Sequence, residues 1–351
     1  INIYRRQGDM LTDAQIQEIR GFLEKAENPL FLFDDDPDGL TSYLLLKKHY
    51  KKGHGTCIKS SPKANVVYSA AYKKHKPDLV VILDKPVVSQ EILDGFNVPV
   101  VWIDHHQVIE RDGVNYYNSM AGDSPDNRPT SHWAYKVVED NEWVALVGII
   151  GDWNVPEKSI VDKFKYPELL GNVKTPPELM FDTEYGKMIK VFSFILKGNN
   201  DSMNKCIEAL EEIEDPMEIL NQTTSNGKLV YEKYEKMNKE YETLLEDSLS
   251  QDEEEVYVYT YVEQKNSFTG NLSNEMLHKL KSEVIIIGRE ASGDVRLSLR
   301  SKGKPILPIL KKALEEVEGY GGGHAMACGA SVKMHDFPKF VEIIKREYKK
   351  E

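Results

Sequence analysis

Cysteine is scarce in this chain. Cys57, Cys206 and Cys328 are odd in number, far apart and in no zinc-type spacing, so neither a disulfide framework nor a structural zinc site is expected. Long apolar runs are also missing. The longest, residues 79–83, 98–103 and 143–150, fall far short of the roughly 20 residues that a spanning helix needs, so no membrane span is expected. Residues 1–6 are not followed by the apolar core of a signal peptide, which makes the cytoplasm the expected location. Positive charge is in deficit: 45 Lys and Arg against 57 Asp and Glu leave a net charge of −12. Nucleic-acid binders usually carry a basic patch, which counts against a long duplex-binding surface. A nuclease stays open, because a local basic groove can exist on an acidic protein. Internal repeats and low-complexity tracts are lacking too.

What is present is ordinary globular material: 40% hydrophobic and 29% charged residues in a chain of 351, enough for about two domains. Residues 1–155 alternate between strand and helix patterns. Thr12-Asp13-Ala14-Gln15 has the form of a capping box, opening a helix to about Glu27. Residues 29–33, 65–69, 78–83 and 98–103 read as strands. The last two are nearly continuously apolar, as in a parallel sheet covered on both faces. Helical spacing marks residues 41–50, 131–138 and 143–150. Residues 156–250 are charged and largely helical. They read as a helical layer and connector, or as the place where a protein partner would dock. Residues 251–351 form a second α/β pattern, with strands at 256–262, 284–288 and 295–300 and an amphipathic helix at 306–317. A Gly-rich turn, a strand through Val332 and a helix from about Asp336 complete it. The expected fold class is therefore α/β in two domains: an N-terminal parallel-sheet domain, a helical connector and a smaller C-terminal α/β domain.

Four acids lie between Asp34 and Asp38 in Phe33-Asp34-Asp35-Asp36-Pro37-Asp38-Gly39. Such crowding repels itself at neutral pH unless cations balance it. From an irregular loop, carboxylates two residues apart can reach one centre. The bland alternative is a solvated acidic turn, which fits poorly between an apolar strand and a helix. An EF-hand fits poorly as well, since no Glu stands at the twelfth loop position. Asp104-His105-His106 follows a buried strand, and imidazole beside carboxylate suits Mn²⁺ or Zn²⁺ better than calcium. Asp84 ends another strand, and Asp152 ends the apolar stretch 143–150. Open α/β sheets bind ligands at the carboxyl ends of their strands, so these separated acids are expected to converge.

In this order, Asp34-x-Asp36-x-Asp38-Gly39, Asp84, Asp104-His105-His106 and Gly151-Asp152 resemble the DHH phosphoesterase superfamily. Arg296-Leu297-Ser298-Leu299-Arg300-Ser301, Gly321-Gly322-Gly323-His324 and Ala327-Cys328-Gly329 resemble its associated DHHA1 domain. Asp at position 34 and Gly39-Leu40-Thr41-Ser42 after the acids are similar to the RecJ-like branch of compact archaeal type. The match covers roughly residues 28–155 and 252–350. Lys85-Pro86 after Asp84 departs from the pattern, since many relatives carry a small residue there. A bulky Lys could alter substrate access or touch a phosphate.

The resemblance implies a DHH catalytic domain over residues 1–155 and a DHHA1-like substrate-binding domain over 251–351, joined by 156–250. It implies two divalent ions, Mn²⁺ or Mg²⁺, polarising a phosphodiester and activating a water. Asp34 and Asp36 would bind one ion and Asp38, His105 and Asp152 the other, with Asp84 bridging them. Asp104 would orient an imidazole, His106 would lie near the scissile phosphate or the leaving oxygen, and Asp35 would face away. In the second domain Gly321, Gly322 and Gly323 would form an anion nest through positive-φ backbone. His324, Ser298 and the forked guanidinia of Arg296 and Arg300 would assist. The bland reading of the glycines is a flexible loop.

The expected activity is exonucleolytic hydrolysis of single-stranded DNA or RNA, with Tyr320, Phe268 and Trp153 as candidate stacking aromatics, although a core or structural role is the more ordinary reading of each. One alternative is a phosphodiesterase for short oligonucleotides or cyclic dinucleotides, which the negative charge favours. Another is an inactive scaffold in a replication or repair complex, against which the intact ligand set argues.

Overall fold

A computed structural model describes residues 11–59, 64–121, 126–263 and 265–350. Residues 1–6, where a signal-peptide core was sought, lie outside the described residues. The chain divides into two compact units, residues 1–196 with 200–234, and residues 197–199 with 235–351.

The first unit opens with α1 (Asp13–Lys25), whose Thr12–Gln15 capping box is formed as expected. There follow β1 (Pro29–Asp34), α2 (Pro37–Tyr50), β2 (His54–Ile58), α3 (Ala64–His75), β3 (Leu79–Leu83), α4 (Gln90–Asp94), β4 (Val100–Asp104) and β5 (Asn115–Asn118). The strands form one parallel sheet in the order β2-β1-β3-β4-β5. Leu30, Leu32, Val80, Ile82, Val100 and Trp102 pack on one face of the sheet with Tyr68 and Ala71 of α3 and Ile92 and Leu93 of α4. On the other side α2 packs against α5 (Thr130–Val138) and α6 (Glu142–Gly151). Phe31, Phe33, Val81, Leu83, Val101 and Ile103 are fully or almost fully buried as well. Burial on both faces explains why these strands read as unbroken apolar runs.

The order of strands reverses between β1 and β3. Acidic residues stand at the carboxyl ends of the strands flanking that point, where doubly wound sheets bind ligands.

Three expectations need correction. Residues 65–69 are not a strand but part of α3. Tyr68 and Ala71, three apart, face the core while Val66 and Val67 are turned outward, so helical spacing overrides the β-branched pair. The second strand of the sheet is instead the polar His54–Ile58. Helix α2 begins at Pro37, not at Thr41. Asp36 is its N-cap, with Oδ1 accepting from Gly39 N–H at 2.9 Å, and Pro37 is its first residue. Proline is favoured there because its missing N–H would have no partner. The acids are thus spread over a strand end, a cap and a first helical turn rather than an irregular loop.

The middle of the chain is helical: α7 (Lys158–Val161), α8 (Pro176–Phe181), α9 (Glu184–Ile195), α10 (Asn200–Glu212), α11 (Pro216–Leu220) and α12 (Ser225–Leu249). No helix among the described residues is long and apolar enough to cross a membrane.

The second unit contains β6 (Val256–Val262), α13 (Thr269–Lys279), β7 (Val284–Ala291), β8 (Asp294–Ser301), α14 (Ile306–Glu316), β9 (Gly319–Gly323), β10 (Ala327–Lys333) and α15 (Phe337–Lys350). Its sheet runs β6-β7-β8-β10-β9, antiparallel except for the β6–β7 pair. Alternation in β8 sends Val295, Leu297 and Leu299 into a core with α14 and α15. Arg296, Ser298 and Arg300 point to the other face, because successive strand residues face opposite ways.

Candidate metal centre

Asp84 follows β3 in a left-handed backbone conformation, φ 60°. That region is uncommon for residues other than glycine and is tolerated best by Asn and Asp. The side chain is 1% exposed. Asp104 ends β4, and His105 and His106 continue from it. Among the described residues, one group of three side chains offers ligand atoms all within 4.8 Å of one another: Asp84, His105 and His106.

His105 Nε2 is the hub. It lies 3.4 Å from Asp84 Oδ1, 3.8 Å from Asp38 Oδ2 and 3.8 Å from Asp152 Oδ2. A backbone contact with Asn127 favours a donating ring, the kind of support that ligating imidazoles usually have. Burial pushes the pKa of His105 down, which keeps the ring neutral and able to ligate.

The carboxylates crowd one another. Burial drives the pKa of Asp84 well upward, and repulsion from Asp38, Asp36, Asp34 and Asp152 adds to it. Asp152, at the C-cap of α6, is raised in the same way by burial and by Asp38 and Asp36. Asp38 is held differently. Its two oxygens each accept a backbone N–H at 2.8 Å, from Thr130 and Ser131 at the start of α5. The positive end of a helix thus fixes one anion of the cluster, and Thr130 Oγ1 adds a 3.2 Å hydrogen bond to Asp84. Buried carboxylates facing an imidazole with too little positive charge between them fit a divalent cation of the Mn²⁺ or Mg²⁺ kind.

Asp104 is fully engaged. Its Oδ1 takes His106 Nδ1 at 2.8 Å, and its Oδ2 accepts from Tyr116 Oη, Asn118 Nδ2 and the His106 N–H. It is therefore an orienting group for His106. Burial opposes charge on that ring, but the Asp104 bond and nearby acids outweigh it and raise the pKa of His106. Asp34 Oδ1 is met at 2.8 Å by Lys85 Nζ and at 2.8 Å by the Asp35 N–H. Asp35 and Asp36 are exposed. The sequence reading overlooked Thr130, Ser131, Tyr116, Asn118 and the Lys85–Asp34 pair. Pro129-Thr130-Ser131 ahead of an apolar helical pattern was a legible signal for an anion-holding helix start.

In the second unit the register brings only part of the expected substrate set onto one sheet face: Arg296, Ser298, Arg300 and Gly322 share it, whereas Gly321 and Gly323 are in line with the core-facing Leu297 and Leu299. Register places Gly322 opposite Gly329, which is opposite Ser298. Tyr320 pairs with Ser331, and Ser331 with Arg296. Ala327 pairs with Arg300. The row of small residues Gly322, Gly329 and Ser298 forms a shallow floor between bulkier neighbours. Arg300 hydrogen-bonds Asn274 Oδ1 at 2.6 Å and the carbonyls of Leu299 and Cys328. These are all neutral acceptors, and burial pushes its pKa down to about 10.

The anion nest needs correction. Gly321 and Gly322 belong to the extended edge strand β9, and of the three glycines only Gly323 has positive φ, 139°. Smallness serves close approach at two of them: a Cβ on Gly321 would lie 2.7 Å from the Gly329 carbonyl oxygen and one on Gly323 2.5 Å from the Ala327 carbonyl oxygen. His324 is exposed at the turn into β10. Phe268 is 0% exposed in the core and cannot stack on a base. Tyr320 is 75% exposed, and half-buried Trp153 packs against Phe181.

Residues 254–350 match the DHHA1 domain family. No curated protein matches the chain by sequence. Among solved structures, RecJ from Thermus thermophilus in complex with Mn²⁺ superposes with a TM-score of 0.68 at 16% identity, over 96% of this chain and 55% of that one. An exonuclease RecJ bound to manganese gives 0.59 at 17% identity, over 99% and 96% of the two chains. A pGpG-specific phosphodiesterase, PggH from Vibrio cholerae, gives 0.52 at 16% identity, over 91% and 98%. The chain thus spans about half the length of the Thermus protein and nearly all of the other two. At these identities the likeness is one of fold: a DHH-like parallel-sheet domain, a helical middle region and a C-terminal DHHA1 domain.

Proposed function

We propose that this protein is a divalent-metal-dependent phosphodiesterase that degrades single-stranded nucleic acid from an end. The observation that carries this reading is His105 Nε2 within 3.8 Å of three carboxylates from separate parts of the chain, Asp38, Asp84 and Asp152. These four groups would hold one Mn²⁺ or Mg²⁺. Asp34, Asp36 and Asp84 would hold a second. Divalent ions there would polarise the phosphodiester and generate the attacking nucleophile at neutral pH.

The chain's own residues do the rest. Asp104 holds Nδ1 of His106, leaving Nε2 to meet the scissile phosphate or the leaving oxygen. Arg296 would grip a phosphate of the substrate with forked donors, and Arg300, whose Nε and Nη1 are already engaged, would add Nη2. The Gly322–Gly329–Ser298 floor lets the sugar-phosphate chain come close to the sheet, and Tyr320 can stack on a base.

The test is hydrolysis of end-labelled strands and of dinucleotides, DNA and RNA, with Mn²⁺. A ladder of products from long strands supports the exonuclease. Cleavage restricted to dinucleotides would replace it with a small-substrate phosphodiesterase, the reading that a net charge of −12 favours. No cleavage of any of them would leave only a scaffold role.

A further inference from the structure

Lys85 is the feature of the metal centre that the proposed chemistry does not use. A lysine is costly to bury unless paired, yet this one is 4% exposed. Its Nζ lies 2.8 Å from Asp34 Oδ1 and 3.1 Å from the Ile58 carbonyl oxygen. Ile58 ends β2 and stands opposite Asp34 in the sheet, so the ammonium bridges two adjacent strand ends. The Lys85 backbone is anchored too, since Trp102 Nε1 donates to its carbonyl at 3.1 Å. Asp34 Oδ1 also receives the Asp35 N–H. Asp34 Oδ1, in a group that would hold the second cation, thus already has two donors.

We propose that Lys85 is a built-in occupant of the second cation position. In the resting protein its ammonium supplies the positive charge beside Asp34, and a divalent ion binds tightly only at the His105–Asp38–Asp84–Asp152 end. This rests on the metal-centre reading above and sharpens its stoichiometry. A fixed positive charge within a few ångströms repels an incoming dication strongly in a partly buried site. Lys85 must leave Asp34 before a second ion can enter. A flexible four-carbon stem carrying a point charge suits such a displaceable role better than a rigid guanidinium.

The experiment is a Mn²⁺ titration of the full chain, followed by electron paramagnetic resonance. The signal of free Mn²⁺ counts the bound ions, and spin coupling reports a second ion beside the first. The wild-type protein is expected to bind one Mn²⁺ tightly, with a second at least about 100-fold weaker, the order that such repulsion implies. Lys85→Met is expected to bind two with affinities within about tenfold of each other and to show a coupled pair. Two tight, coupled ions in the wild-type protein would overturn the proposal even if Lys85→Met failed to fold. So would a folded Lys85→Met that still takes only one. A wild-type chain that binds no Mn²⁺ would overturn the metal centre itself, and the inference with it.

Discussion

Asp104 Oδ1 and His106 Nδ1 are 2.8 Å apart, while Asp104 Oδ2 accepts from Tyr116 Oη, Asn118 Nδ2 and the His106 N–H. A carboxylate only accepts, so His106 donates from Nδ1 and turns Nε2 away from Asp104. Asp104→Asn keeps the shape but removes the charge that supports a protonated ring. It is expected to lower kcat about 10- to 100-fold, the usual cost of losing such a partner, while KM stays nearly constant. Steady-state kinetics on a labelled single strand will check this. An unchanged kcat would show that His106 does not act through Asp104.

Asp84 presents a separable pair of effects. Its pKa is raised by burial and by four neighbouring acids, so in the metal-free protein its negative charge is unfavourable at neutral pH. Asparagine fits the same volume and tolerates the left-handed backbone at this position. Asp84→Asn is therefore expected to raise the Tm of metal-free protein, by about 2–4 °C for each kcal/mol of repulsion relieved, and to abolish hydrolysis. Wild-type protein is expected to gain about 2.7 kcal/mol when Mn²⁺ stands at 100 times its Kd, and the variant to gain little. Thermal melts with and without Mn²⁺ decide this. A variant that is still stabilised by Mn²⁺ as strongly as the wild type would remove Asp84 from the ligand set.

Two neighbouring glycines on β9 are expected to respond oppositely. A Cβ on Gly322 meets nothing within 4 Å, whereas one on Gly321 would collide with the Gly329 carbonyl and with Ala330. Gly322→Val should leave the Tm within about 1–2 °C of wild type, as surface changes do, and weaken oligonucleotide binding by filling the floor. Gly321→Ala should lower stability by about 1–3 kcal/mol, the range for overpacking. Fluorescence anisotropy under non-cleaving conditions and thermal melts separate the two. Binding unaffected by Gly322→Val would rule out the floor as the path of the substrate.

The sheet of the first unit was legible because its central strands are buried on both sides. A parallel strand such as 79–83 declares itself by an unbroken apolar run that no amphipathic helix would show. The same logic failed at residues 54–58, where an edge strand carries His54, Gly55 and Thr56, and at residues 65–69, where Val66 and Val67 turned out to face away from the sheet. The candidate site was legible as a list, since acids after strands converge by topology. Its internal order was not. That Asp38 faces a helix start and that Lys85 serves Asp34 depend on the approach of residues far apart in the chain. That Asp104 serves His106 depends on side-chain direction at one turn. The glycine run was read for conformational freedom. Yet Gly321, Gly322 and Gly323 stand opposite Ala330, Gly329 and Cys328 on β10, all small. Close packing of two strands explains Gly321 and Gly323, where a Cβ would lie within 3 Å of β10 backbone, but not Gly322, which has open space.

His132 offers a pH prediction outside the metal centre. Its side chain, on α5, is buried, and Arg128 Nη1 lies 3.0 Å from its Nε2. A guanidinium can only donate, so the ring must accept and be neutral. Burial, then the charge of Arg128, pushes its pKa down to about 4, although Glu157 pulls the other way. The unfolded chain takes up this proton near the ordinary value of about 6.5. The folded pKa is the lower of the two. The stability this group contributes is therefore complete above about pH 6.5 and is lost progressively as pH falls toward 4. The loss amounts to roughly 3 kcal/mol at most. His132→Gln, whose side-chain oxygen can still accept from Arg128, should flatten the fall in urea-unfolding stability between about pH 6.5 and 4.5. If the variant loses stability over that interval as steeply as the wild type, the acid sensitivity lies elsewhere, and the Arg128–His132 contact does not require a neutral ring.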